Sequence, residues 1–468
     1  NTPPTYDTYT TAGFDTLMPY HVDVLNEALV LEGISTLAGL DTVIAALETL
    51  NTHALGSSSS SPEIADYEDA GLTGVDVNNL EHLNTTLNRE QRFVFGEYFK
   101  SSSTSSYGYS SALSDDGNTL AVLAYRSRGT VMVYRRAGDV WEEAAELEPS
   151  TSSINATAIA MSANGQRILI GANTNAYIYD VDVVNETPDW QSWSLSRTVE
   201  HSLSSIGSLD LSADGAVFAV GYSSTTAKLY RETATGNWVN RFSSTNVGGQ
   251  VSLSGNGDVF VIGDTRANTN QGLVRIYRRN NDTWSSTGNV VASNPTDSDY
   301  FGYSVSVNRA GNRIAVGARY EDGPSTGGQS AQGAVYVFDY DGSSWSETQL
   351  LRASDAEKDD RFGSRVALSP QGDQLVVSIN TPSGPRPKAI YHYDISVADS
   401  TLSQSTEQIV VSPNSTEDHD AFASQFAFNG EIISVGAYSD DNNFVGQVRN
   451  SFIDEWFDSQ DDAFAWDG

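Results

Sequence analysis

Carboxylates are the commonest chemistry-bearing side chains of this chain, and towards its C-terminal end they gather in short clusters. Asp297 and Asp299, then Asp355, Asp359 and Asp360, then Glu417, Asp418 and Asp420 each precede an alternating apolar segment; Glu321 and Asp322, and Asp440 and Asp441, each follow one. Several carboxylates with nearby carbonyls are what Ca²⁺ prefers, and a dense negative surface also suits a cationic partner. The plainer reading is a solvated acidic rim, because the whole chain is acidic: 26 Lys and Arg stand against 60 Asp and Glu, a net charge of −34. That balance argues against nucleic acid, whose binding needs basic patches that displace counterions, and against anionic membrane surfaces.

Other chemistry finds little support. Gly323-Pro-Ser325-Thr-Gly327 fits the Gly-x-Ser-x-Gly formula, but a nucleophile elbow needs a strand, a sharp turn and a helix, and no helical pattern follows. The six histidines, at 21, 53, 82, 201, 392 and 419, have no metal-ligand spacing. His392 alternates with Tyr391 and Tyr393 and reads as structural, while His419 sits among acids. With no cysteine, disulfides and thiolate chemistry are excluded. Sequons for N-glycosylation occur at Asn84, Asn155, Asn185, Asn281 and Asn414, which matter where the source uses them. The sites thus reduce to an acidic surface and no catalytic residue, with no cofactor specified and Ca²⁺ as the one ion the acidic loops could hold.

The elements that would position these loops follow from an internal repeat. Copies read Ser111-Ala-Leu-Ser-Asp-Asp-Gly117-Asn-Thr-Leu-Ala-Val122, Ile159-Ala-Met-Ser-Ala-Asn-Gly165-Gln-Arg-Ile-Leu-Ile170, and onward to Phe426-Ala-Phe-Asn-Gly430. Seven turn glycines, 117, 165, 215, 257, 311, 372 and 430, lie 48, 50, 42, 54, 61 and 58 residues apart. Each copy predicts an alternating strand, a tight turn in which Gly takes positive φ, a second apolar strand, and a third strand such as Leu273–Tyr277 or Ala334–Phe338. Trp141, Trp238, Trp284 and Trp345 open a fourth. Four strands per copy, seven times, predicts a mainly β protein, a seven-bladed β-propeller over 91–455. An open ring would expose sheet edges, so the orphan strand Phe93–Phe99 is expected to complete the last blade, with the segment around Phe452 to Phe457 as competitor. In such a blade the loop leading into the first strand and the loop between strands two and three emerge on one face, so blades five to seven should carry a negative face.

Tyr300-Phe-Gly-Tyr-Ser-Val-Ser-Val, Ile314-Ala-Val-Gly-Ala, Gly333-Ala-Val-Tyr-Val-Phe and Trp345 resemble one complete FG-GAP repeat, and Arg361-Phe-Gly-Ser-Arg-Val-Ala-Leu-Ser resembles the start of another. These are the units of integrin-α-type propellers and of many surface proteins. The resemblance spans roughly 93 to 455, strong in copies five and six, partial in seven and weak in one to four. It implies extracellular recognition or scaffolding and fixes no single function. It does not carry over the family's calcium sites, which need an Asp-x-Asp-x-Asp-Gly run where these turns read Ser-Asp-Asp-Gly or Ser-Gly-Asn-Gly.

Ahead of the repeats, Leu37, Leu40, Val43, Ile44, Leu47 and Leu50 sit at helical spacing, predicting a small α-helical module over 20–90. Its stretch from Ile64 to Asn84 is similar to short helical repeats of bacterial surface proteins. Residues 1–19 read as an extended arm and 456–468 as an acidic, aromatic tail. No run of ~18 apolar residues predicts a membrane span, and the start at Asn1 reads as a processed form or a fragment. The expectation is an extracellular, cell-surface structural or adhesive protein that acts through protein partners or self-assembly. A glycan- or protein-binding propeller is the alternative, and a propeller hydrolase stands behind both.

Overall fold

The second strand of each copy is apolar at nearly every position, which a strand tolerates only where both faces of its sheet are covered. A computed structural model of the chain describes residues 93–100, 107–124, 129–137, 140–149, 154, 156–172, 174–203, 206–222, 225–323, 331–380, 388–395, 408–411, 426–437 and 444–450. Within them, strands such as Val259–Asp264 and Arg313–Ala318 are buried along almost their whole length. The fold is mainly β and propeller-like. Six blades, spanning 107–147, 156–200, 208–245, 250–290, 301–351 and 365–411, are four-stranded antiparallel sheets whose strands lie side by side in chain order. A seventh four-stranded sheet combines Phe426–Phe428, Ile432–Ala437 and Phe444–Asn450 with Phe93–Lys100 as its outer strand. The closing strand is thus the one expected from the sequence. Residues 97–448 make one compact unit, and 1–96 with 449–468 the other. The arm, the helical module, the competing segment at 452–457 and the tail lie outside the described residues.

Apolar side chains join the sheets in pairs. One cluster holds Val261, Val274 and Phe301 with Val316 and Tyr336, from blades four and five. The next holds Val335, Val337 and Phe362 with Val377 and Tyr391, from five and six. Ile432 of the seventh sheet packs with Leu120, Val122 and Trp141 of blade one, so the succession returns to its start. Each such side chain removed from water contributes ~1.5–3 kcal/mol.

Between blades the backbones themselves meet. A Cβ on Gly317, in the second strand of blade five, would lie 2.0 Å from the carbonyl oxygen of Gly363, which leads into blade six. Gly263 meets Gly302 and Gly221 meets Gly249 at the same separation. Phe301 and Phe362 pair in parallel with Gly272 and Gly333 of the preceding blades. No side chain larger than hydrogen fits these seams.

The turns after the first strands add a belt of backbone hydrogen bonds. The amide of Asp115 donates to Ala163 O, Ala163 to Ala213 O, Ala213 to Gly255 O, Gly255 to Arg309 O and Arg309 to Pro370 O. Proline has no amide to continue; Asn429 of the seventh sheet instead donates its side-chain Nδ2 to Ser114 O at 3.2 Å.

Gly317→Ala should lower stability by about 3 kcal/mol or more, because backbone blocks its Cβ. Gly342→Ala, with nothing within 4 Å of its Cβ but a φ of +101°, should cost only about 1 kcal/mol. Urea unfolding of both variants checks the contrast.

Candidate functional site

The lead-in loops of blades five and six are built alike. In Asp299-Tyr-Phe-Gly302 the Asp299 carboxylate accepts hydrogen bonds from the Thr296 amide and hydroxyl, both at 2.6 Å. In Asp360-Arg-Phe-Gly363 the carboxylate accepts from the Glu357 amide at 2.7 Å. Both acids are buried. They hold a backbone in which Tyr300, Arg361, Gly302 and Gly363 all take positive φ. That geometry aims Phe301 edge-on at Tyr336 and Phe338, and Phe362 likewise at Tyr391 and Tyr393. Burial, helped by nearby Glu321 and Asp322, pushes the Asp299 carboxyl above the usual carboxylate range, against the pull of its Thr296 hydrogen bonds.

Glu321 is also buried, 4% exposed. It pairs with Arg352 of the same blade and accepts from the Gly323 amide at 2.8 Å and from Asn294 Nδ2 at 3.3 Å. Asn294 in turn accepts the Tyr336 hydroxyl at 2.6 Å. One repeat later the Tyr391 hydroxyl donates to Asp355 at 2.9 Å, so Asp355 is the counterpart of Asn294.

The expected acidic face therefore divides. Asp299, Glu321 and Asp360 are turned inward as hydrogen-bond acceptors for their own loops, and their carboxylates are spent there. Asp297, Asp322 and Asp355 are exposed and Asp359 is half-buried. The loops do share a face: Tyr320 donates its amide to Asp299 O, and Asn380 its amide to Asp360 O. Asp418, Asp420, Asp440 and Asp441, with Glu417, His419 and Ser325, lie outside the described residues. Among the described residues, no three His, Asp or Glu side chains converge in a way that could hold a metal ion.

The sequence reading missed an ion pair between the belt turns. Arg309 of blade five pairs with Asp115 of blade one. The signal was present: position by position these turns carry Asp115, Ala163, Ala213, Gly255, Arg309 and Pro370, with opposite charges only in copies one and five. It also missed Asp210, on the first strand of blade three. Asp210 Oδ2 accepts from the Leu253 amide at 2.7 Å and from Ser252 at 3.1 Å. The repeat equivalents Ser252 and Ser306 make the same bond to the next blade with a neutral hydroxyl, to the Val307 and Leu368 amides. Burial pushes the Asp210 carboxyl up to about 6.

His392 is buried, as its alternation with tyrosines implied, and bonds Gln374 at 3.0 Å. His201 is buried too. Burial depresses both imidazoles to about 4. Of the sequon asparagines, Asn185 and Asn281 sit at exposed two-residue hairpin tips with φ of 51° and 58°. Asn84, Asn155 and Asn414 lie outside the described residues.

Two predictions follow from this geometry. Asp299→Ala should lower stability by about 1–3 kcal/mol, whereas Asp297→Ala should change it by less than about 0.5 kcal/mol; denaturant midpoints compare them. The second concerns pH. A carboxyl raised to about 6 from 3.8 penalises the fold above pH 6, and the penalty fades as pH falls towards 3.8. Asp210→Ser should therefore stabilise by up to about 3 kcal/mol at pH 7.5 and by nothing near pH 4. Histidines depressed to about 4 from 6.5 work the other way: their contribution is whole above pH 6.5 and drains as pH falls through 6.5 towards 4. In the parent, two histidines outweigh one aspartate, so the melting temperature should fall across that window.

Residues 284–338 and 345–384 match the FG-GAP repeat family. No curated protein matches the chain. The matched residues are blade five with the end of blade four, and most of blade six, where the Asp-x-Phe-Gly loops and the glycine seams are found. On that match and on the arrangement of its sheets, the chain carries FG-GAP repeats in an FG-GAP-type β-propeller.

Proposed function

We propose that this chain is an extracellular structural or adhesive protein whose propeller, closed as seven blades, serves as a rigid body for protein–protein assembly, without catalysis. FG-GAP propellers are interaction or recognition modules, and that coarser role fits the family match. No helix among the described residues is long and apolar enough to cross a membrane.

One observation carries the assembly reading. The outer hairpin of blade two, Asn175–Val184 with Thr187–Glu200, is longer than any other hairpin among the described residues. Thr187–Glu200 lies at the edge of its sheet. Val183 is 60% exposed, Val184 55% and Leu195 44%. Soluble monomers blunt such edges with charge, proline or short strands. Here β-branched side chains stand in water at the tip of a long edge strand, the arrangement of a surface that another chain covers. A recognition role has its own support, the exposed carboxylates Asp297, Asp322 and Asp355 gathered on one face.

The protein should self-associate in a concentration-dependent way by sedimentation velocity, and Val183→Asp with Val184→Asp should weaken association at least ~tenfold. A parent that stays monomeric at every concentration and salt tested would sink the assembly reading. Capture of a cationic partner that is lost on neutralising Asp322 and Asp355 would favour recognition instead.

A further inference from the structure

Between the outer parts of blades three and four lies a cleft of about 520 Å³, lined by Arg231, Asp258, Arg279, Asn281 and Asp282. Asp282 is shared by two guanidiniums, Arg231 and Arg241, and Arg279 pairs with Asp258. Three cations thus meet two anions, a local excess of one positive charge in a chain of net charge −34.

The arginines here differ from those that lock blades together. Arg313 places all three of its nitrogens on protein acceptors: Nε and Nη2 on Asp339 at 2.6 and 2.8 Å, and Nη1 on Gly372 O at 2.7 Å. Arg231 and Arg279 each place one terminal nitrogen on a carboxylate, and the buried Nε of Arg241 has no partner among the described residues. A guanidinium offers five N–H donors in a rigid fork, so the cleft holds a surplus of donors beside the Asn281 amide. What satisfies a donor surplus with net positive charge is an acceptor-rich anion, held by charge-assisted and bidentate hydrogen bonds.

We propose that this cleft binds a single oxyanion group of the sulfate or phosphate kind, free or carried on an otherwise neutral saccharide. A polyanion is disfavoured, because the summed negative charge repels it beyond the ~8 Å over which salt screens. One tetrahedral anion enters within that distance and meets the local excess.

The test is calorimetric titration of the whole chain, made without N-glycans because Asn281 lines the cleft. Sulfate and phosphate are compared with chloride at constant ionic strength, and glucose 6-sulfate with glucose. Expected is saturable binding of sulfate or phosphate with a Kd of roughly 1–10 mM and none of chloride. Tighter binding of glucose 6-sulfate than of sulfate would identify the saccharide source; equal or weaker binding would identify the free ion. Arg279→Gln and Arg231→Lys, each with a parent-like unfolding midpoint in chloride, should weaken binding at least ~tenfold, since the first removes a fork and the second keeps only its charge. Arg197→Gln, on the neighbouring hairpin, should leave it unchanged. Absence of oxyanion-specific heat, or parent-like binding by both cleft variants, overturns the proposal.

Discussion

Everything else in this propeller depends on how closely one blade's backbone can approach the next. At Gly221, Gly263 and Gly317 the neighbouring carbonyl oxygen occupies the space a Cβ would need, 2.0 Å from where that atom would sit. This fixes which residue stands there more strictly than burial does, since a core position accepts Val, Ile or Leu with modest loss and a seam accepts only hydrogen. The seams then set the distance at which Phe301 reaches Tyr336 and Phe362 reaches Tyr391. The parallel bridges Gly272–Phe301 and Gly333–Phe362 show the same closeness in backbone pairing.

Close approach has an electrostatic consequence. The lead-in loop must leave one blade and start the next in a few residues, with several backbone positions at positive φ, and its amides need acceptors. Asp299 and Asp360 supply them. A carboxylate strengthens such a bond, and when it is buried its own desolvation pushes its pKa up, as at Asp299. Where a hydroxyl does the same work, as at Ser252 and Ser306, no charge is buried; Asp210 departs from that pattern and bears the desolvation alone. Part of what reads as an acidic surface in the sequence is therefore internal scaffolding.

This explains how far the sequence could be read. The repeat, the turn glycines, the Trp-led fourth strands and the closing strand Phe93–Lys100 were all legible, because apolar alternation and positive-φ glycine are local signals. The partition of the acidic loops was not. Asp297 and Asp299 are two residues apart and chemically identical, yet one is exposed and the other buried against the amide three residues before it. Nor could the sequence reveal that Arg231, Arg241 and Arg279 converge, since they come from two blades whose neighbourhood follows only from the ring order. The Arg309–Asp115 pair, between copies one and five, was hidden for the same reason.

The unequal wear of the repeats is the last consequence of the seam. Copies five and six keep the whole Asp-x-Phe-Gly loop, while earlier copies lose the acid and the phenylalanine. They keep an apolar residue followed by glycine just ahead of the first strand: Ile206-Gly207 and Val247-Gly248, with both apolar side chains buried. Loss of the acid leaves an amide that another acceptor can satisfy, and Ile or Val fills part of the phenylalanine's space. Loss of the glycine would force two backbones apart, which nothing nearby can compensate. The order in which a copy gives up its family pattern thus follows the order of physical cost: the replaceable acceptor first, the replaceable ring next, and the hydrogen at the seam last.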